Sequence, residues 1–246
     1  MQFEVFDDAD CVARKAAAFI AADARSAVAV RSRYALAVSG GHTPWIMLRA
    51  LADEDVPWAH VHLYQVDERV APAGDPDRNL THLRESLLQH APLLVQNIHA
   101  MPVEFSDLKW AAGQYARTLR VGAGAPPVLD LVHLGLGPDG HTASLVPGDP
   151  VLNVAGADVA ITNPYQGRRR MTLTYPVLNR ARRVLWVVTG GEKVEMLGRL
   201  MNGDSAIPAG RVRREDALLI ADRAAARSSA IQLTHPPEQR RPDREM

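Results

Sequence analysis

Five runs of strand length are apolar at most positions: residues 34–38, 61–66, 129–134, 184–188 and 218–220. A strand with one wet face alternates polar and apolar residues, so runs of this kind expect cover on both faces. Helical patterns lie among them, at residues 10–30, 44–52, 80–90, 106–119 and 192–201. Buried strands separated by helices predict an α/β chain of the modified doubly wound kind, a mainly parallel sheet flanked by helices. In such sheets ligands bind beyond the carboxyl ends of the strands. The residues just after each strand therefore carry the functional information. No internal repeat or dividing linker interrupts the pattern; 121–127 and 147–150 read as loops. We expect one domain over 1–234, followed by a polar, proline-containing tail over 235–246 with little order.

Composition removes several classes of function. The chain has 28 basic and 28 acidic side chains and a formal net charge of zero, which argues against nucleic acid or an anionic membrane as the main partner. The stretch over 34–48 is free of Asp, Glu, Lys and Arg but is too short to cross a bilayer as a helix. Glu4, Asp7, Asp8 and Asp10 precede any basic residue, unlike a secretory signal. Cys11 is the only cysteine, so neither an internal disulfide nor a zinc ribbon is expected. His60 and His62 share a strand face but have no third ligand nearby in sequence. The expectation is a cytoplasmic globular protein without a metal or organic cofactor.

After the run 34–38 comes Ser39-Gly40-Gly41-His42-Thr43-Pro44. Two glycines let backbone approach a ligand, Thr43 is placed to cap a helix with Pro44 at its first position, and a helix N-terminus attracts anions. A tight turn without a ligand explains the segment equally well. It is not a Walker loop, because no Gly-Lys-Ser/Thr follows. Asp67-Glu68-Arg69, after the second run, read by themselves as a solvated rim. After 129–134, Gly135, Gly137 and Gly140 match G-x-G-x-x-G, but Pro147 and Pro150 leave no room for the long helix a dinucleotide site needs. The loop reads better as a presenter of Asp139 and His141. Histidine titrates nearest neutral pH and suits general-base work, and a carboxylate two residues away can orient it. Thr189-Gly190-Gly191-Glu192-Lys193 forms a second glycine-rich helix start. A lysine there opposes the helix dipole, a placement that a bound anion explains. Arg168-Arg169-Arg170 leads into the alternating strand pattern of 171–174. Together these features suit a phosphate.

Ser39-Gly40-Gly41-x-Thr43-Pro44, Asp67-Glu68-Arg69, Asn79, Gly135-x-Gly137-x-Asp139-Gly140-His141-Thr142-Ala143-Ser144, Arg170-x-Thr172, Gly191-x-Lys193 and Ile207-Pro208-Ala209 occur in this order. From Ser39 to Asp222 the chain thereby resembles the 6-phosphogluconolactonases, whose wider superfamily includes glucosamine-6-phosphate deaminases. The resemblance implies a deaminase/ribose-5-phosphate-isomerase-like sheet. It also implies hydrolysis of 6-phospho-D-glucono-1,5-lactone, the second step of the oxidative pentose phosphate pathway. The deaminases carry a glutamate five residues after the histidine, where this chain has Val146, and typically an aromatic residue where it has Arg69. Both departures favour the lactonase. A sugar-phosphate-sensing regulator of related fold would need an N-terminal DNA-binding module ahead of Tyr34.

The roles implied are His141 as general base on water, with Asp139 or Asp67 holding its imidazole. The phosphate is expected near Gly40, Gly41, Thr43, Arg170 and Lys193, with Ser39 in the same loop. Arg69 is expected to meet phosphate or sugar hydroxyls. The implied partner is a small phosphosugar lactone, bound by a monomer or weak homo-oligomer.

Overall fold

The computed structural model describes residues 1–227, so the expected domain end at 234 and the tail over 235–246 lie outside them. Strand β1 (Gln2–Phe6) leads into helix α1 (Ala9–Arg31), whose N-terminus is capped by Asp8: its carboxylate accepts the Cys11 N–H at 2.7 Å. β2 (Tyr34–Val38) and α2 (His42–Ala52) follow, then β3 (Val61–Gln65) and the short β4 (Asp67–Arg69). Helix α3 (Asn79–Leu83) continues into a wider π turn over Arg84–Leu88 and is followed by β5 (Ile98–His99), α4 (Leu108–Ala123) and β6 (Leu131–Leu134). The chain then forms β7 (Val159–Ile161), β8 (Arg170–Leu173), α5 (Tyr175–Arg180) and β9 (Arg183–Val188). A single 3-10 turn over Gly191–Lys193 precedes α6 (Val194–Met201), and β10 (Ala217–Asp222) closes the main sheet.

That sheet has seven strands in the order β1-β10-β9-β6-β2-β3-β5, every neighbouring pair parallel. It is covered on both faces, as the apolar runs require. Tyr34, Leu36 and Val38 point into one core with α1 and α2, while Ala35 and Ala37 point into the other with α4, α5 and α6. β9 divides likewise, Leu185 and Val187 to the first core and Val184, Trp186 and Val188 to the second. Each fully buried Leu contributes about 1.5–3 kcal/mol by leaving water. A second, antiparallel sheet of β4, β8 and β7 lies beside the second core, to which Met171, Leu173 and Val159 belong.

The strand order creates a switch point. From β2 the chain moves outward through β3 and β5, and from β6 it moves the other way through β9 and β10. The carboxyl ends of β2 and β6 therefore flank a crevice of the kind where doubly wound sheets take ligands.

Several local expectations change. β1, β4, β5 and β7 were not foreseen; each has five residues or fewer and exists by virtue of its pairing partner. Helix α4 runs on through residues 121–123, which read as loop. α2 starts at His42 with Gly41 as its N-cap, so Thr43 lies inside the first turn and caps nothing. Among the described residues no helix is long and apolar enough to cross a membrane.

Candidate active site

The ends of β2 and β6 are tied together at Ser39. Its N–H donates to His133 Nδ1 at 3.3 Å and its hydroxyl to the His133 carbonyl at 3.1 Å. Ser39 lines the cleft, and its N–H and hydroxyl proton both serve this joint. Gly40 must be glycine because a Cβ there would lie 2.0 Å from Asn79 Oδ1. The first N–H groups of α2 have no acceptor within the helix, and they open onto the same cleft as Gly40 and Gly41. Thr43 Oγ1 sits 2.5 Å from Thr189 Oγ1, clasping this helix start to the one after β9.

Asp67-Glu68-Arg69 are not a solvated rim. Glu68 is fully buried and accepts hydrogen bonds from the backbone N–H groups of Arg69, Asn79 and Leu80, with Arg78 Nε 3.1 Å away. It thereby anchors the start of α3 under the cleft. Asp67 is buried and bonded to Ser144 Oγ at 2.5 Å and to Asn79 Nδ2 at 3.3 Å. Arg69 donates to the Asp77 carbonyl and to Asn79 Oδ1, at 2.9 and 2.8 Å. Asn79 and Ser144, which belong to the recurring motifs but were assigned no role, hold this acid and base in place.

The loop after β6 is bonded to itself. Thr142 Oγ1 donates to the Gly135 carbonyl, the Gly137 N–H to the His141 carbonyl and the Gly140 N–H to the Gly137 carbonyl. Gly140 has φ +81°, and a Cβ would also lie 2.7 Å from Ile207 Cβ. The result presents His141 to the cleft with Asp139 behind it: His141 Nδ1 lies 2.5 Å from Asp139 Oδ1, which also accepts the His141 N–H at 3.1 Å. Of the two carboxylates expected to orient the imidazole, Asp139 makes the contact. A carboxylate accepts the proton on Nδ1, which leaves the lone pair on Nε2. Partial burial pushes the Asp139 carboxyl up, but the neighbouring His141 and hydrogen bonds from His141 and Tyr165 outweigh it, and the net displacement is below the ordinary value.

Arg69 and Arg170 oppose each other across the β4–β8 pair and both line the cleft. Arg170 is buried, and among the described residues neither Nε has a partner. Burial pulls the Arg170 guanidinium below its ordinary pKa, with Asp67 opposing this and Arg69 adding to it. Lys193, in the 3-10 turn before α6, lines the same cleft and lies 3.8 Å from Glu192. Arg168 is committed elsewhere, to Asp75 and Asp77, and the Arg169 side chain turns to the Thr162 carbonyl. Of the three consecutive arginines, Arg170 alone faces the cleft.

The cleft encloses about 440 Å³. It gathers His141, Asp67, Arg69, Arg170, Lys193 and the glycine loops, with Asp139 one layer behind. A base faces three cations, an arrangement able to hold an anionic sugar derivative while a proton is moved. Tyr165, which no sequence signal singled out, makes a T-shaped contact with the His141 ring and lies under Arg170. His62 meets His99 at 3.2 Å, away from this cleft.

Residues 7–220 match the family model described as glucosamine-6-phosphate isomerases/6-phosphogluconolactonase. A 6-phosphogluconolactonase of Synechocystis is 39% identical over 178 residues, covering 71% of this chain and 74% of the relative. The 6-phosphogluconolactonase of Mycobacterium tuberculosis is 34% identical over 237 residues, covering 91% of this chain and 96% of the relative. The crystal structure of 6-phosphogluconolactonase from Thermotoga maritima superposes with a TM-score of 0.79 at 27% identity, covering 90% of this chain and 98% of that one.

Proposed function

Because this chain belongs to the family of glucosamine-6-phosphate isomerases and 6-phosphogluconolactonases, we propose that it hydrolyses 6-phospho-D-glucono-1,5-lactone to 6-phospho-D-gluconate. That reaction is the second step of the oxidative pentose phosphate pathway. The observation that carries the lactonase reading is the His141–Asp139 pair, 2.5 Å apart, facing Arg69, Arg170 and Lys193 in one cleft. Val146, buried, stands where a deaminase of this superfamily carries its glutamate.

The phosphate is held by Arg170 and Lys193 with the N-terminus of α2 behind Gly40, Gly41 and Thr43. Arg69 lies beside Arg170 and meets the phosphate or the adjoining hydroxyls. His141 Nε2 takes a proton from water as its oxygen bonds to the lactone carbonyl carbon. The Asp139 carboxylate stabilises the imidazolium that forms. On collapse the bond from carbonyl carbon to ring oxygen breaks, and the proton on Nε2 passes to that oxygen to give the hydroxyl of the open acid. General-base help of this kind is worth roughly 10²–10⁴-fold. The Gly137, Gly140 and Gly190 N–H groups are bonded inside the protein, so oxyanion donors come from the other N–H groups of the glycine loops. Asp67 acts as counter-charge to the two arginines and leaves the base role to His141. A reducing cytoplasmic setting suits a chain with a single cysteine, and a monomer or weak homo-oligomer suffices, since every group named comes from one chain.

The test is the rate of opening of the phosphorylated lactone by purified protein, corrected for spontaneous hydrolysis, beside ammonia release from glucosamine 6-phosphate. Acceleration of the first and none of the second is expected. Ammonia release without lactone opening overturns the reading. Lys193→Ala should raise KM for the phosphorylated lactone strongly, and the unphosphorylated lactone should be a poor substrate for either protein.

A further inference from the structure

Tyr165 sits between the base and the phosphate-binding cation without lining the cleft. It lies in the β7–β8 hairpin, where its N–H donates to the Arg168 carbonyl and its own carbonyl accepts the Arg168 N–H. The two residues between them, Gln166 and Gly167, have φ of 51° and 79°, the two-residue turn that suits antiparallel strands. This turn aims the Tyr165 ring inward, half-buried. Its hydroxyl donates to Asp139 Oδ2 at 3.1 Å, on the carboxylate whose other oxygen holds His141. Its ring meets the imidazole in a T-shaped contact, with centroids 5.6 Å apart at 67°, and the Arg170 guanidinium lies 4.9 Å from its ring centroid. Arg170 is held from the same turn by Gln166 Oε1 at 3.1 Å.

We infer that Tyr165 is a positioning residue that fixes Asp139, and through it the His141 tautomer and ring plane, while its face seats Arg170. The assignment rests on the lactonase reading for the roles of His141 and Arg170. It names a residue outside those motifs. The hydroxyl and the ring do separable jobs. The hydroxyl shares the Asp139 charge with His141, and the ring supplies a flat, electron-rich surface that a guanidinium favours. Burial, then the Asp139 charge, raises the Tyr165 phenol above its ordinary range, so it remains a donor. The charged and titratable groups around His141 are Asp139 from its own loop, Tyr165 and Arg170 from the hairpin, and Asp67, Arg69 and Lys193 from the rest of the cleft lining.

Two variants separate the jobs. Tyr165→Phe keeps the ring and removes the donor. We expect kcat to fall by about 3–10-fold with KM unchanged, the loss of one hydrogen bond felt in the transition state. Asp139 then turns its full charge on the imidazole, so the His141 titration followed by NMR in the substrate-free protein should move up by about half a pH unit. Tyr165→Leu removes both parts and should add a several-fold rise in KM as Arg170 loses its seat. Phe and Leu variants that share wild-type kcat, KM and His141 titration, and differ only in melting temperature, overturn the inference. Equal KM in the two variants overturns the Arg170 part. The NMR titration needs no turnover, so it judges Tyr165 even if the wild-type protein opens no lactone.

Discussion

Arg69 and Arg170 are paired directly across the antiparallel β4–β8 ladder, on the same face and in the same cleft. Like charges so placed repel, and burial of Arg170 raises the cost. Asp67 relieves part of it, and an anion bound between the guanidinium groups relieves more. Inorganic phosphate should therefore raise the melting temperature of the wild-type protein. Arg170→Gln should abolish most of that rise and increase KM for the phosphorylated lactone by at least about tenfold, one charge-assisted contact being worth about 1.5–3 kcal/mol. A variant that phosphate still stabilises as strongly as wild type would remove Arg170 from the anion site.

His141→Asn keeps a polar side chain near Asp139 and loses the proton acceptor. We expect kcat to fall by roughly 10²-fold or more with KM little changed, the pattern of an interaction made in the transition state. The acid limb of the wild-type rate profile should disappear in the variant. Near-normal kcat would move the base to Asp67, a buried acid of the cleft.

Two glycines of one loop should answer oppositely to the same substitution. A Cβ on Gly137 would stand 2.1 Å from His141 Nδ1, whereas a Cβ on Gly135 meets nothing within 4 Å. The side chain that must yield in Gly137→Ala is the imidazole itself, and an ångström of displacement there costs on the order of 10²-fold in rate. Gly137→Ala should fold and melt close to wild type yet lose that much kcat, while Gly135→Ala stays active. Circular dichroism melts beside the lactone assay check both halves.

Burial depresses His133, beneath the site, to about 3. Unfolded, it titrates at about 6.5. Between those values the unfolded chain carries a proton that the folded one refuses, so stability is full above about pH 6.5 and is lost as pH falls towards 3. The slope approaches about 1.4 kcal/mol per pH unit for this group. His133→Asn keeps an acceptor for the Ser39 N–H. The difference in unfolding free energy between neutral pH and about pH 4.5 should shrink by about 2 kcal/mol in that variant. An unchanged difference in urea titrations at the two pH values would show that His133 takes its proton while folded.

The long elements were legible because their signals are local. Both-faces apolar runs mark β2, β3, β6 and β9, and 3.6-residue periodicity marks α1 and α4, before any contact is made. The short strands were not: Asp67–Arg69 reads as three charges at a rim and becomes β4 only because Arg170–Leu173 lies beside it. Glu68 misled for the same reason, since its burial depends on Arg78 and on the N–H groups that open α3.

By itself the sequence determined the doubly wound class, the carboxyl-end loops as the place of the site, and the residue types gathered there. Those follow from periodicity, from glycine's freedom and from the chemistry of single side chains, none of which needs a partner. Only the tertiary structure decided which groups meet. It set Asp139 rather than Asp67 against His141, and Tyr165 between base and cation. A hydrogen bond exists within a few tenths of an ångström or not at all. Such distances between β4, the β6 loop and the β7–β8 hairpin are set by the packing of two sheets, which no local pattern encodes.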